Sequence, residues 1–126
     1  MEITRRYVGD IPILDLAGRF VAWTDPDRTS LRTPVARLVS ERRVDVLIHL
    51  ARVTDIDAHG LGELAWGATV MRRSGGQLSL IAPCRQVRRL LAITRLDTVL
   101  PIFDSECDAI GSVVAERMPQ AVRVAV

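Results

Sequence analysis

A nearly continuous apolar segment, Val44 to Leu50, lies near the middle of the chain and is followed by a helical pattern. Only Asp45 and His49 interrupt it, and a segment of this kind is typical of a strand buried on both faces of a sheet. Apolar residues then recur at helical spacing on one face, at Leu61, Leu64, Ala65, Ala68 and Met71. A doubly covered strand followed directly by a helix predicts an α/β protein with a mainly parallel sheet.

The N-terminal part of the chain predicts a hairpin and a helix. Ile3 to Val8 and Ile11 to Leu16 have strand character and flank a tight turn at Gly9-Asp10. We expect Gly18 to end the second strand. Thr33 is the expected N-cap of the first helix, since Pro34 follows it at the first helical position. The inward residues of that helix are Val35, Leu38 and Val39.

The C-terminal part predicts two further strands, Gln77 to Ala82 and Val99 to Phe103. A helix starts at Pro83 after the first of them, and Ser105 caps a last helix after the second. The apolar face of the Pro83 helix carries Val87, Leu90 and Leu91, and its exposed face carries Arg85, Arg88 and Arg89. The last helix is expected to turn Ala109, Ile110, Val113 and Val114 inward. The predicted order is therefore β-β-α-β-α-β-α-β-α, with about four helices packed mainly on one side of a mostly parallel or mixed sheet of about five strands.

The start of the central helix is the candidate functional site. Asp57 is a good N-cap residue, and Gly75-Gly76 ends the helix that it begins. Exposed amides at a helix start attract anions or a partner protein. The residues expected to contact a partner are Asp57, Ala58, His59, Gly60 and Leu61, together with Trp23 in the loop before the first helix.

Composition narrows the function further. A chain of 126 residues predicts a single domain, here residues 3 to 117, with a mobile tail over residues 118 to 126. The net charge of +2 is too small to imply nucleic acid, and no apolar run approaches the ~20 residues of a membrane helix. Phosphate-binding loops and nucleophile elbows are missing from the sequence. We therefore expect a cytoplasmic, non-catalytic protein without catalytic residues, metal or cofactor.

Four short segments give the chain a resemblance to a known family. Asp57 to Gly62 follows an apolar strand, and Gly75 to Leu80, Val87 to Leu91 and Leu96-Asp97 come later at suitable spacing. In this order they resemble the STAS domain, which anti-sigma factor antagonists share with the cytoplasmic tails of sulfate transporters. The resemblance covers almost the whole chain and implies a single α/β STAS-like domain.

The resemblance also implies a partner. In anti-sigma factor antagonists, a serine near the helix start is phosphorylated by a GHKL-type serine kinase that is itself the anti-sigma factor. Phosphate adds about −1.5 to −2 charges to the docking surface and so disfavours binding. This chain carries His59 at the serine position, which predicts docking without control by serine phosphorylation.

Two other positions depart from the family pattern. His49 stands where the central strand usually ends in Asp or Asn, and Val21 stands where an Asp is common. His59 is either an exposed replacement for a lost phosphosite or a histidine that accepts phosphate or senses a partner. His49, His59 and Asp57 together would supply two imidazoles and one carboxylate for a metal, although His49 is better interpreted as a hydrogen-bonded residue at the end of its strand.

Several alternatives remain open at the level of sequence. The arginine-bearing helix face is either a solvated surface or a docking patch for an acidic partner. Trp23 and Trp66 are either partly exposed interface residues or residues that close the edge of the core. Besides an anti-sigma factor antagonist, the family resemblance allows a scaffold or sensor in a stress-signalling assembly, or an accessory subunit of a transport system. A homodimer is a further expectation.

Overall fold

The computed structural model describes residues 1–21, 31–42 and 45–117. Within these ranges the chain forms five strands and four α-helices. In chain order the elements are β1 (Glu2–Val8), β2 (Ile11–Phe20), α1 (Arg32–Ser40), β3 (Asp45–Ile56), α2 (Ala58–Arg73), β4 (Gln77–Ile81), α3 (Arg85–Ile93), a 3₁₀ turn (Leu96–Thr98), β5 (Ile102–Phe103) and α4 (Glu106–Arg117). The predicted order of strands and helices is confirmed.

The strands form one mixed sheet in the order β1-β2-β3-β4-β5. β1 and β2 are antiparallel and are joined by the predicted tight turn, in which Gly9 adopts a φ of 62°. The other neighbouring strands are parallel. Because parallel strands joined by helices share their direction, β3 and β4 both end at the edge of the sheet where α2 and α3 begin.

β2 and β3 are longer than the sequence predicts. β2 continues through Gly18 to Phe20, and β3 continues beyond Leu50 to Ile56 while pairing with β2. The register shifts twice along this pair, so the buried residues of this part of β3 are spaced by three instead of two, at Leu50, Val53 and Ile56. A strand is recognised in a sequence by apolar residues at every second position, so the sequence pattern does not predict this part of β3.

The local starts of three elements differ from prediction. α1 begins at Arg32 after Leu31, which makes no side-chain cap, so Thr33 is not the N-cap. α3 begins at Arg85, two residues after Pro83. The last strand is shorter than expected because the amides of Val99 and Leu100 donate back to the Leu96 carbonyl and so close the 3₁₀ turn instead of extending the strand.

The helices cover the two faces of the sheet unequally. α1, α2 and α3 pack on one face around the larger core cluster, and α4 packs on the other around Ile13, Leu47 and Ile81. Ala109 and Val113 of α4 are buried as predicted, but Val114 is 42% exposed, so that expectation was wrong. α4 covers only part of its face of the sheet, so the carboxyl-terminal halves of β2 and β3 are open on that face.

Candidate functional site

The start of α2 is held by a cap that the sequence predicts correctly. Asp57 is extended (φ −116°, ψ −173°), and its side chain accepts a hydrogen bond from the Gly60 amide at 3.1 Å. Its carbonyl accepts the first helical bond from Leu61 at 3.0 Å. The carboxylate therefore accepts a hydrogen bond from an amide of the first turn and also interacts favourably with the positive end of the helix dipole.

Gly60 allows α2 to approach the end of β2. A Cβ at this position would lie 2.4 Å from the Phe20 carbonyl oxygen and 2.7 Å from Cγ1 of Ile56. The same Phe20 carbonyl accepts a hydrogen bond from the Asp57 amide at 3.4 Å. Gly62 is different, since a Cβ there would meet nothing within 4 Å. Only Gly60 is sterically required, although the motif presents both glycines alike.

The five predicted contact residues of this segment divide by burial. Ala58 and His59 are exposed, Asp57 is half-buried, and Gly60 and Leu61 are buried. Leu61 packs in the core cluster beneath the helix. The surface that a partner could contact directly is therefore made by Ala58, His59 and the outer part of Asp57, while the other two fix its shape.

His59 lies above a carboxylate that the sequence did not single out. The His59 side chain is 54% exposed, and its Nε2 is 3.5 Å from Oε2 of Glu63, which is only 3% exposed. Burying a carboxylate is costly, so a glutamate in this position is a specific feature of the helix. The spacing of four residues from His59 is the signal that could have indicated the pair.

His49 lies far from this segment. It stands within β3, opposite Asp15 of β2 and Ile81 of β4, seven residues before Ile56. At the rise of a strand this separation is about 20 Å. The expectation that His49 marks a strand end beside His59 is therefore wrong, and the reason is the unpredicted length of β3. Among the described residues, no group of three His, Cys, Asp or Glu side chains could hold a metal ion.

The neighbourhood of His49 is a polar cluster on the open face of the sheet. Arg6 of β1 forms ion pairs with Asp15 at 2.5 Å and with Glu106 of α4. The hydrogen bond from Arg6 holds the pKa of the Glu106 carboxyl below its ordinary value, and a positive charge on His49 acts in the same direction. This cluster fastens the start of α4 to the sheet, and its members come from distant parts of the sequence.

The sequence also singles out Val21, Trp23 and Trp66. Val21 is half-buried directly after β2, beside the Phe20 carbonyl that meets Asp57 and Gly60. Trp23 lies outside the described residues. Trp66 is half-buried on α2, and the guanidinium of Arg32 lies 5.2 Å from the centre of its ring.

Comparison with known proteins identifies the family. The family model of the STAS domain matches residues 9–109. The chain belongs to the STAS domain family. Of its relatives, a TM1081 homolog of Thermotoga neapolitana, named as a candidate anti-sigma factor antagonist, is 32% identical over 68 residues. That match covers 54% of this chain and 60% of the relative.

Solved structures share the fold. The crystal structure of TM1081 from Thermotoga maritima matches with a TM-score of 0.75 at 22% identity, over 88% of this chain and 93% of that chain. The Bacillus cell fate determinant SpoIIAA in its phosphorylated form matches with a TM-score of 0.68 at 15% identity, over 89% of this chain and 99% of that chain. None of the described helices has both the length and the apolar character needed to span a membrane.

Proposed function

We propose that this STAS domain is a non-catalytic regulatory module that docks an anti-sigma factor of the GHKL kinase type through the start of α2. The observation that carries the proposal is the fixed and exposed first turn of that helix. The Asp57 cap and the contact of Gly60 with the Phe20 carbonyl hold the backbone, and Ala58 and His59 face outward. A preorganised surface of this kind binds with little cost in ordering.

The proposed docking does not depend on a phosphorylated serine. His59 has no hydroxyl group to accept phosphate, and its imidazole lies over the buried Glu63 carboxylate. We propose that the antagonist acts constitutively, or under a signal other than serine phosphorylation, in the cytoplasm where its anti-sigma partner would be found. The resemblance of Asp57 to Leu61 to the family motif supports this proposal.

Binding to the anti-sigma kinase encoded in the same genome tests the proposal. The wild-type chain is expected to bind it, and His59→Glu to bind at least about tenfold more weakly, because a carboxylate there imitates the charge of a phosphate. Thr69→Glu is the matched control, since Thr69 is exposed on α2 about 15 Å along the helix. Equal binding by the wild type and His59→Glu would contradict docking at this surface.

Phosphate transfer tests the regulatory part separately. With ATP and the same kinase, the wild-type chain is expected to take up no phosphate, whereas His59→Ser is expected to become a substrate. Acid-labile phosphate on wild-type His59 would overturn the idea of an unmodified surface. Affinity capture of a transporter ATPase in place of an anti-sigma factor would favour the accessory role, and a large oligomer on a sizing column would favour the scaffold.

A further inference from the structure

α3 presents a basic face that the proposed docking at α2 does not use. Val87 and Leu91 are fully buried against the sheet, and Arg85, Arg88 and Arg89 are exposed on the opposite side. The nine residues of the helix include no acidic residue. Arg88 forms an ion pair with Asp104 at 2.9 Å, but Arg85 and Arg89 form none with any described residue.

An exposed isoleucine stands in the same row of side chains. Ile93 is 69% exposed, the highest value for a large apolar residue among those the structure describes. Residues four apart are neighbours on a helix, so Arg85, Arg89 and Ile93 form one line along the surface. We call these three residues and Arg88 the α3 face. It offers three arginines, a residue type enriched at protein interfaces, beside one exposed apolar side chain.

One charge of the α3 face, that of Arg85, acts against the stability of its own helix. The N-cap residue Cys84 makes no side-chain cap, and Arg85 occupies the first turn, where the helix dipole disfavours a cation. The C-terminal end of α3 does not compensate for this unfavourable charge, since its last turn carries no basic residue to interact with the helix dipole. A sequence that violates local rules at one place is typical of a functional surface.

Positive charge continues past the C-terminal end of α3. Arg72 of α2 donates a hydrogen bond to the carbonyl of Val99 at 3.4 Å, which places it beside the 3₁₀ turn that follows Arg95. Both arginines are exposed. Asp97 and Asp104 are the nearby acidic residues in sequence, and Asp104 is engaged by Arg88. Arginines therefore lie both on α3 and just beyond its C-terminal end, on either side of a last turn that carries no basic residue.

We propose that the α3 face binds an acidic amphipathic segment of a partner protein. Carboxylates of the segment would pair with Arg85, Arg88 and Arg89, and an apolar side chain would cover Ile93. Charge complementarity favours this occupant. One exposed apolar residue is too little to insert a helix into a bilayer, and the face has no aromatic side chain on which bases could stack.

Binding of a defined peptide tests the proposal. The probe is a fluorescent helical peptide of about 16 residues with glutamates and leucines on one face, and its matched control has glutamine for every glutamate. We expect the acidic peptide to bind the wild-type chain and the glutamine peptide to bind at least about tenfold more weakly. Arg89→Glu is expected to weaken the acidic peptide about tenfold, and Ile93→Gln about threefold.

Two controls separate a specific site from general charge attraction. Arg37→Glu makes the same change in charge on α1, where Arg37 is exposed and forms no ion pair with a described residue. It should leave affinity within about twofold. Equal losses in Arg37→Glu and Arg89→Glu would overturn the proposal. Tighter binding to phosphatidylglycerol vesicles than to the acidic peptide would also overturn it and would favour a membrane as the occupant. Tighter binding to single-stranded RNA than to the acidic peptide would overturn it in favour of RNA.

The test is independent of folding and of the α2 site. Arg85→Glu places an acidic residue in the first turn of α3, which favours the helix, so weaker peptide binding by this variant cannot come from unfolding. His59→Glu should leave peptide binding unchanged. A peptide that binds His59→Glu much more weakly than the wild type would show that it occupies the start of α2 and would overturn the assignment to α3.

Discussion

α2 and α3 begin at the same edge of the sheet and pack on the same face, but their ends are built differently. Asp57 caps α2, and Arg72 and Arg73 stand in its last turn, where the dipole favours cations. α3 has no side-chain cap, an arginine in its first turn and no cation in its last. α2 is stabilised by its local sequence, whereas α3 depends on burial of Val87 and Leu91.

The largest effect is expected where α2 touches β2. Gly60→Ala should lower the free energy of unfolding by about 3 kcal/mol, because its Cβ would meet a backbone carbonyl that cannot move aside. Urea denaturation measures the change. Gly62→Ala is the matched control, and it should be neutral or stabilising by up to about 1 kcal/mol, since alanine is the better helix former. Similar losses in both variants would show that the close contact does not determine the site.

The next largest effect is expected at the N-caps of α2 and α3, which should differ in their contribution to the free energy of unfolding. Asp57→Ala is expected to lower the free energy of unfolding by about 1 kcal/mol, because the Gly60 amide loses its acceptor. Asp57→Asn should retain most of that stability. Cys84→Ala at the N-cap of α3 should cost less than Asp57→Ala, since no cap bond is removed. A cost at Cys84 equal to that at Asp57 would contradict the contrast between the two helices.

α4 extends the comparison to the other face of the sheet. Like α2, it has complementary charges, with Glu106 and Asp108 in its first turn and Arg117 in its last. Because folding lowers the pKa of Glu106, its stabilising contribution is present above the ordinary value of 4.5 and is lost as the pH falls through the lower folded value.

Stability below that pH tests the contribution of Glu106. Glu106→Gln should destabilise the protein at pH 7 by up to about 1 kcal/mol, the range of a partly exposed ion pair. It should also make the loss of stability below pH 4.5 less steep than in the wild type. Thermal unfolding between pH 3 and pH 7 measures both effects. Parallel profiles for the two proteins would show that Glu106 does not contribute.

The smallest expected effect is the change in stability caused by Arg85→Glu, and its sign is what tests the comparison of the two helices. Arg85→Glu should raise the free energy of unfolding by about 0.5 kcal/mol, whereas Arg73→Glu, the same change in the last turn of α2, should lower it by a similar amount. Urea denaturation at low salt resolves the two. A variant of α3 that is more stable yet binds the acidic peptide more weakly would separate the function of Arg85 from its effect on the fold. Destabilisation by Arg85→Glu would contradict the comparison.

Local signals explain how much of the site could be predicted. Asp57 and Ser105 cap their helices as expected, because a cap depends on residues two or three positions away. Glu63 was missed, since a glutamate on a helix is ordinarily exposed and nothing nearby in sequence indicates its burial. The polar cluster of Arg6, Asp15 and Glu106 was missed because its members come from three separate elements.

The sequence by itself determined the order of strands and helices, the mixed sheet and the start of α2, since periodicity and caps are local properties of the chain. Only the tertiary structure decided that β3 continues to Ile56, which separates His49 from His59. It also decided which glycine is required. Gly60 and Gly62 differ only in what lies opposite them, and the Phe20 carbonyl is brought there by pairing of β2 with β3. Contacts between distant segments depend on register and close packing, which no local pattern records.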